Sequence, residues 1–278
     1  MRILCYVNHF FGQNPHFWGK SSLQSGLNRL EIQRRADIRK MYVERVVAQA
    51  KLIGNVDVKI CGIKDYSLIP VDIYFDKIRE KPLWLIYESL NHMANLIDEY
   101  DYFINLEDDI FLPQETFNNI VDFDKISQVN EILLPNRMEK SQDGKAYCVD
   151  LIPLPGWTQQ KKKFNGNDLQ VGFNPHSGLL ILSKDKFQYA LQFLDRDFRG
   201  VTLYNELDSA FAYFHSPFCL FRSRNMDFHY VFHLDKWLYS PGEVKDVNSW
   251  SGVIKSLRLS DFVPPACIKV IRKIQSIF

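Results

Sequence analysis

Residues 100–113 read YDYFINLEDDIFLP. Ile104 and Leu106 alternate with Phe103 and Asn105, and the aromatic and β-branched content predicts a strand buried on both faces. The strand delivers three consecutive carboxylates, Glu107, Asp108 and Asp109, at its end. Three adjacent acids repel one another, so a fold that holds them together needs a cation or strong hydrogen-bond donors close by. Carboxylate oxygens are hard ligands suited to Mg²⁺ or Mn²⁺, ions that in turn suit a diphosphate. The alternative is a solvated acidic loop after a strand.

The segments upstream repeat a strand and helix alternation. Residues 2–7 predict a first strand, and a polar and aromatic loop from Asn8 to Gly26, carrying His9, follows it. Within that loop Gly19-Lys20-Ser21 resembles the end of a phosphate-binding loop, but Asn14 stands where the required glycine would be. Ile32, Ala36, Val43, Val46, Val47, Ala50 and Ile53 recur at helical spacing, with Asn28 as N-cap and Gly54 as stop. Arg34, Arg35, Arg39 and Lys40 on this helix read as a solvated face. Period-two alternation predicts a strand at 56–61, and a helix opened by Pro82 runs through residue 99. Strand, helix, strand, helix, strand is the pattern of a mostly parallel central sheet flanked by helices, an α/β fold that binds ligands beyond the carboxyl ends of its strands. The acidic triplet lies at that end.

Downstream, 114–124 predicts a short helix, 131–134 a strand, 136–144 turns and 147–151 another strand. Residues 153–174, with prolines, glycines, Trp157 and Lys161 to Lys163, read as a mobile loop with solvated lysines, a lid closing over an anionic donor being the alternative. His176 and Ser177 precede a buried strand at 179–182, followed by a helix at 184–194. Glu206 and Asp208 head a further apolar helix, where the helix dipole also favours carboxylates. Asp227, His229, Val231, His233 and Asp235 fall on one face of a predicted strand. Ile268, Ile271, Ile274 and Phe278 with Lys269, Arg272 and Lys273 make a short basic amphipathic helix, suited either to a membrane surface or to docking on the protein itself.

Composition narrows the function classes. The chain has 278 residues, 46% hydrophobic and 24% charged, enough for one full core. A formal charge of +1 gives none of the basic excess of a nucleic-acid binder. Five dispersed cysteines predict neither a disulfide framework nor a zinc site, which suits a reducing cytoplasm. No apolar run reaches the ~18 residues of a membrane span. Hydrolase signatures of the G-x-S-x-G and H-E-x-x-H types are absent.

The apolar helix, the Tyr-Asp-Tyr-Phe-Ile strand and the terminal acidic triplet together resemble nucleotide-sugar-dependent glycosyltransferases of the GT-A fold, whose D-x-D motif ends the corresponding strand. NLEDDIFLPQETF, from Asn105 to Phe117, is similar to the Glu-Asp-Asp version in the N-acetylglucosaminyltransferase I group. The close resemblance covers residues 82–124. It implies a Rossmann-like GT-A domain over 1–240, with a nucleotide-binding half at 1–112, an acceptor-side and catalytic half at 113–240, and a tail at 241–278. It implies a Mn²⁺ or Mg²⁺ ion held by Asp109, with Glu107 and the late His233, and donor contacts from Glu107 and Asp108, with Asn8, His9, His176 and Ser177 lining the same site. The base would be Asp208 or Glu206. The implied reaction moves a sugar from a nucleoside-diphosphate donor, expected to be UDP-linked, to a hydroxyl of a glycan or lipid-linked acceptor, with peripheral membrane contact through the tail. The chain departs from the family in lacking an adjacent acidic pair at the base and the Golgi enzymes' amino-terminal anchor. A sugar-phosphate nucleotidyltransferase and a non-catalytic carbohydrate-binding protein are the alternatives. The first is weakened by the lack of a glycine-rich, arginine-containing loop after the first strand.

Overall fold

The computed structural model describes residues 1–12, 29–64, 66–140, 146–148, 157–175, 177–202 and 206–235. In chain order it forms β1 (Ile3–His9), α1 (Arg29–Ala50), β2 (Val56–Gly62), β3 (Ile73–Tyr74), α2 (Leu85–Asn95), β4 (Tyr102–Glu107), β5 (Ile110–Phe111), α3 (Gln114–Asp124), β6 (Glu131–Leu133), β7 (Asn136–Lys140) and β8 (Ala146–Cys148). Then follow β9 (Trp157–Phe164), β10 (Asn167–Gly172), β11 (Leu179–Ser183), α4 (Lys184–Leu191), α5 (Glu206–His215), β12 (Cys219–Ser223) and β13 (Tyr230–His233). The architecture is mixed α/β. A five-stranded sheet of order β11-β4-β1-β2-β3 is parallel except for β11, and two four-stranded sheets, β6-β12-β10-β9 and β5-β13-β7-β8, stand beside it.

Strand alternation sorts the main core into two layers. Leu4, Tyr6, Phe103, Leu180 and Leu182 point to one face, where Ile86, Tyr87 and Leu90 of α2, Phe187 of α4 and Phe211 of α5 cover them. Ile3, Cys5, Val7, Ile104, Leu106 and Ile181 point to the other, against Val43 and Val46 of α1 and Phe117 and Ile120 of α3. Helices on both faces explain why β1, β4 and β11 carry near-continuous apolar runs. Phe123, Leu133, Phe164, Leu169 and Phe221 form a separate core under the β9 and β10 strands.

Several expectations need correction. Residues 157–172, predicted as part of a loop, are a β-hairpin: Phe164 pairs with Asn167 across Asn165 and Gly166, both at positive φ (48° and 74°). Asn-Gly between paired residues is the signature of a two-residue hairpin turn. Lys162 does not wave in solvent; it pairs with Glu131 and lies over the rings of Phe123 and Phe221. Residues 136–140, predicted as turns, are β7, paired with β13 and β8. Helix α2 begins after a 3₁₀ turn at Pro82–Trp84 and stops at Asn95, short of residue 99. His92 on α2, expected from the sequence to face outward or cap the helix, is half-buried, its Nδ1 2.7 Å from the Tyr6 hydroxyl. The Asn28 cap, the 13–26 loop with its Gly19-Lys20-Ser21 motif, and the amphipathic tail lie outside the described residues. No helix among the described residues is long and apolar enough to cross a membrane.

Candidate functional site

The acidic triplet sits where two sheets part. Asn8 at the end of β1 is in register with Glu107 at the end of β4, and after Asp108 and Asp109 β5 pairs with β13 in a different sheet. Asp108 and Asp109 form the turn between the sheets. Both residues are almost fully buried, at 2% and 4% exposure, so the carboxylates must be met by protein groups or ligands rather than by water.

Arg39 of α1 meets both. Its Nη2 lies 2.9 Å from Asp108 Oδ1, and its Nη1 lies 2.6 Å from Asp109 Oδ2 and 3.1 Å from Asp235 Oδ2. This overturns the reading of Arg39 as solvated, although Arg34, Arg35 and Lys40 are exposed or nearly so. A signal was present in the sequence. The helical stripe Ile32, Ala36, Val43, Val46, Ala50 has a gap between 36 and 43, and Arg39 fills it at i+3 and i+7. A cation inside an apolar stripe calls for a buried anionic partner.

His9 closes the other side of Asp108. Its Nε2 accepts the Leu68 backbone N–H at 2.9 Å, so the ring proton sits on Nδ1 and is donated to Asp108 Oδ2 at 2.5 Å. His233 plays the matching part for Asp109. Its Nε2 is 3.3 Å from Asp109 Oδ2, and its Nδ1 is 2.6 Å from Glu139 Oε1 on β7. Burial alone would depress the His233 pKa, but the charge and hydrogen bond of Asp109, then the bond to Glu139, raise it to about 10. Burial likewise works against the charge on Asp109, and Arg39 followed by His233 outweighs it, holding this carboxyl well below the usual range. His233 is therefore an imidazolium between two carboxylates. To ligate a metal it would first have to give up its proton.

One carboxylate oxygen has no such partner. Asp109 Oδ1 is buried and makes no hydrogen bond. Glu107 beside it is driven up to about 8 by burial, then by the charges of Asp109 and Asp208, against the pull of Arg137 and His233. Asp208 in the first turn of α5 thus reaches the acidic turn electrostatically. Glu206, at the helix start, acts instead on Tyr87, whose hydroxyl donates to the Gly200 carbonyl. Across from Glu107, Gly178 accepts the Glu107 backbone N–H at 2.9 Å. It holds φ +69°, and a Cβ there would lie 2.8 Å from Glu107 Oε2 and 2.7 Å from Ile110 Cδ1.

The remaining expected site residues are placed differently. Asn8 Nδ2 donates to Asn105 Oδ1 at 2.6 Å and to the Leu106 carbonyl at 2.9 Å, tying β1 to β4. Ser177 is buried, and its hydroxyl donates to the Leu179 carbonyl at 3.3 Å. His176 lies outside the described residues, as do residues 236 onward. Asp227 is exposed in a turn before β13, away from the face shared by His229, Val231 and His233. Glu139 and Arg137, both on the unpredicted β7, are site residues that sequence reasoning missed.

Among the described residues no group of three or more His, Cys, Asp and Glu side chains is arranged to hold a metal ion. Magnesium and manganese do not require one, since they are held by one or two carboxylates together with substrate phosphates and water. The unpartnered Asp109 Oδ1, with Glu107 next to it, is a donor set of that kind.

Two further buried histidines feel the charge of Arg222. His215 Nδ1 donates to the Pro175 carbonyl at 2.8 Å and His229 Nε2 to the Leu133 carbonyl at 3.4 Å. Burial, reinforced by the Arg222 charge, lowers their pKa values to about 4 and about 3 despite those bonds. Free histidine titrates near 6.5, so between about pH 6.5 and pH 4 the unfolded chain binds protons that the fold refuses. The contribution of these two histidines is therefore full above about pH 6.5 and falls as the pH drops, each by up to about 1.4 kcal/mol per pH unit. Urea midpoints measured at pH 7 and pH 4.5 are expected to show this loss, and His229→Gln to reduce it.

No protein-family model matches the chain, and no curated protein matches it. A solved structure titled "crystal structure of a glycosyltransferase involved in the glycosylation of the major capsid of PBCV-1" aligns with 81% of this chain and 94% of that one, at 10% identity and a TM-score of 0.29. At that score the likeness carries no argument about fold or activity.

Proposed function

We propose that this chain is a metal-assisted glycosyltransferase of the GT-A type, moving a sugar from a nucleoside-diphosphate donor, UDP-linked in the first instance, to a hydroxyl of a glycan or lipid-linked acceptor. The observation that carries the reading is the buried, unpartnered Asp109 Oδ1 at the carboxyl end of a parallel strand, beside a Glu107 held above its ordinary pKa. Buried polar atoms are ordinarily satisfied, and one left over at the ligand-binding edge of an α/β sheet points to a ligand.

Asp109, aided by Glu107, would hold the divalent ion, which when bound offsets charge on the departing diphosphate. The protein's own groups have the other tasks. Arg39, His9 and His233 fix the acid rotamers, and burial of the turn keeps water from the carboxylates. Asp208 takes the proton of the acceptor hydroxyl as that oxygen bonds to the anomeric carbon, while the anomeric carbon–phosphate oxygen bond breaks and its electron pair leaves with the nucleoside diphosphate.

Calorimetric titration with UDP tests this reading. Binding is expected with Mn²⁺, its loss with a chelator, and weakening of about tenfold or more in Asp109→Asn, the range seen when residues supporting a metal site are changed. Equal binding in all three samples would refute the assignment.

A further inference from the structure

The reading above leaves Arg39 without a part in the chemistry, yet no side chain is more deeply involved with the acids. Its guanidinium spans Asp108 Oδ1 at 2.9 Å, Asp109 Oδ2 at 2.6 Å and Asp235 Oδ2 at 3.1 Å. His233 adds a second donor to Asp109 Oδ2 at 3.3 Å, so that oxygen is filled while Oδ1 is not. The charged groups around the turn are Glu107, Asp108, Asp109, Asp208, Glu139 and Asp235 against Arg39, Arg137 and His233. An approaching divalent ion therefore meets a carboxylate already neutralised on one side, with a guanidinium on that same carboxylate. Two like-charged ions at this distance in a dry turn repel strongly. A diphosphate changes the balance, because its oxygens supply both the missing ligands and the missing negative charge.

We propose that Arg39 is the resident counter-cation of the acidic turn and a positioning residue that makes divalent-cation binding conditional on the diphosphate. The ion alone is held weakly, and the ion with nucleoside diphosphate is held well. This rests on the glycosyltransferase reading and adds to it an order of assembly. Coupling of this kind is reciprocal, so the diphosphate must also bind better in the presence of the ion.

The test follows free Mn²⁺ by electron paramagnetic resonance in the full chain, with and without UDP, for the wild type, Arg39→Met, Arg39→Lys and Asp109→Asn. In the wild type UDP is expected to tighten Mn²⁺ binding at least about tenfold, within the usual span of allosteric coupling. Arg39→Met is expected to bind Mn²⁺ alone about tenfold more tightly than the wild type, and added Mn²⁺ to raise its melting temperature more than the wild type's, since the ion replaces the lost charge. Arg39→Lys keeps a point charge but cannot bridge three carboxylates, so it should fall between them. If Arg39→Met does not fold, Arg39→Lys decides by the same comparison. Mn²⁺ affinity in the arginine variants no tighter than in the wild type, or wild-type affinity indifferent to UDP, overturns the inference. A wild type that binds no Mn²⁺ even with UDP, and so matches Asp109→Asn, overturns the glycosyltransferase reading itself.

Discussion

Asp208→Asn is expected to slow sugar transfer by about 10²–10⁴-fold, the usual worth of a positioned general base, with donor binding little changed. Asp208 lies in the first turn of α5, and its charge is felt by Glu107, so it is on the acidic turn's side of the helix. Glu206 heads the same helix but acts on Tyr87, which packs in the core between α2 and α5. On the proposed function, Asp208 is therefore the better placed of the two acids to take a proton beside the acidic turn. Glu206→Gln should accordingly retain near-wild-type turnover. Release of nucleoside diphosphate from the donor, with water or an added sugar as acceptor, gives the rate. The pH profile supplies a second readout, because loss of the base should remove the acidic limb. An Asp208→Asn protein that turns over at the wild-type rate moves the base to another group.

What could be read in the sequence, and what could not, follows from how each segment is buried. β1, β4 and β11 are covered by helices on both faces, so their apolar runs announced strands, and α2 announced itself by a single stripe. β7 and β9 are strands of smaller sheets, with polar sequences such as NRMEK and WTQQKKKF that resemble loops in composition. β7 is held by β13, a partner distant in sequence that no local pattern encodes, whereas β9 pairs with the adjacent β10. Asn165-Gly166 is a local hairpin signal, set among prolines and lysines whose composition is that of a loop. The acids of the site were legible because three together cannot be indifferent. Their partners were not, since Arg39 is 69 residues from Asp108 and Glu139 is 94 from His233, and only the fold unites them. Arg39 alone left a trace, a charge standing in an apolar stripe.

Gly178→Ala tests whether the acidic turn depends on its neighbour's missing side chain. Two costs combine at this position. The residue sits at φ +69°, where an L side chain costs about 1–2 kcal/mol relative to the right-handed region. The new methyl would also stand 2.7 Å from Ile110 Cδ1 and 2.8 Å from Glu107 Oε2, and overpacking of a buried site typically costs about 1–3 kcal/mol. Ile110 is fully buried in the main core and cannot retreat without disturbing β5 and its pairing with β13. The half-buried Glu107 side chain can shift, and a shift toward Asp109 would bring two carboxyl groups closer. The expected result is a stability loss of about 2–5 kcal/mol, read from the urea midpoint, and a weakening of Mn²⁺-dependent UDP binding in the fraction that remains folded. Glu107→Gln in the same background discriminates the causes. At about pH 9, where Glu107 is ionised, removing the carboxylate charge should recover part of the stability if the methyl presses Glu107 against Asp109, and none if the damage is confined to Ile110 and the strand behind it.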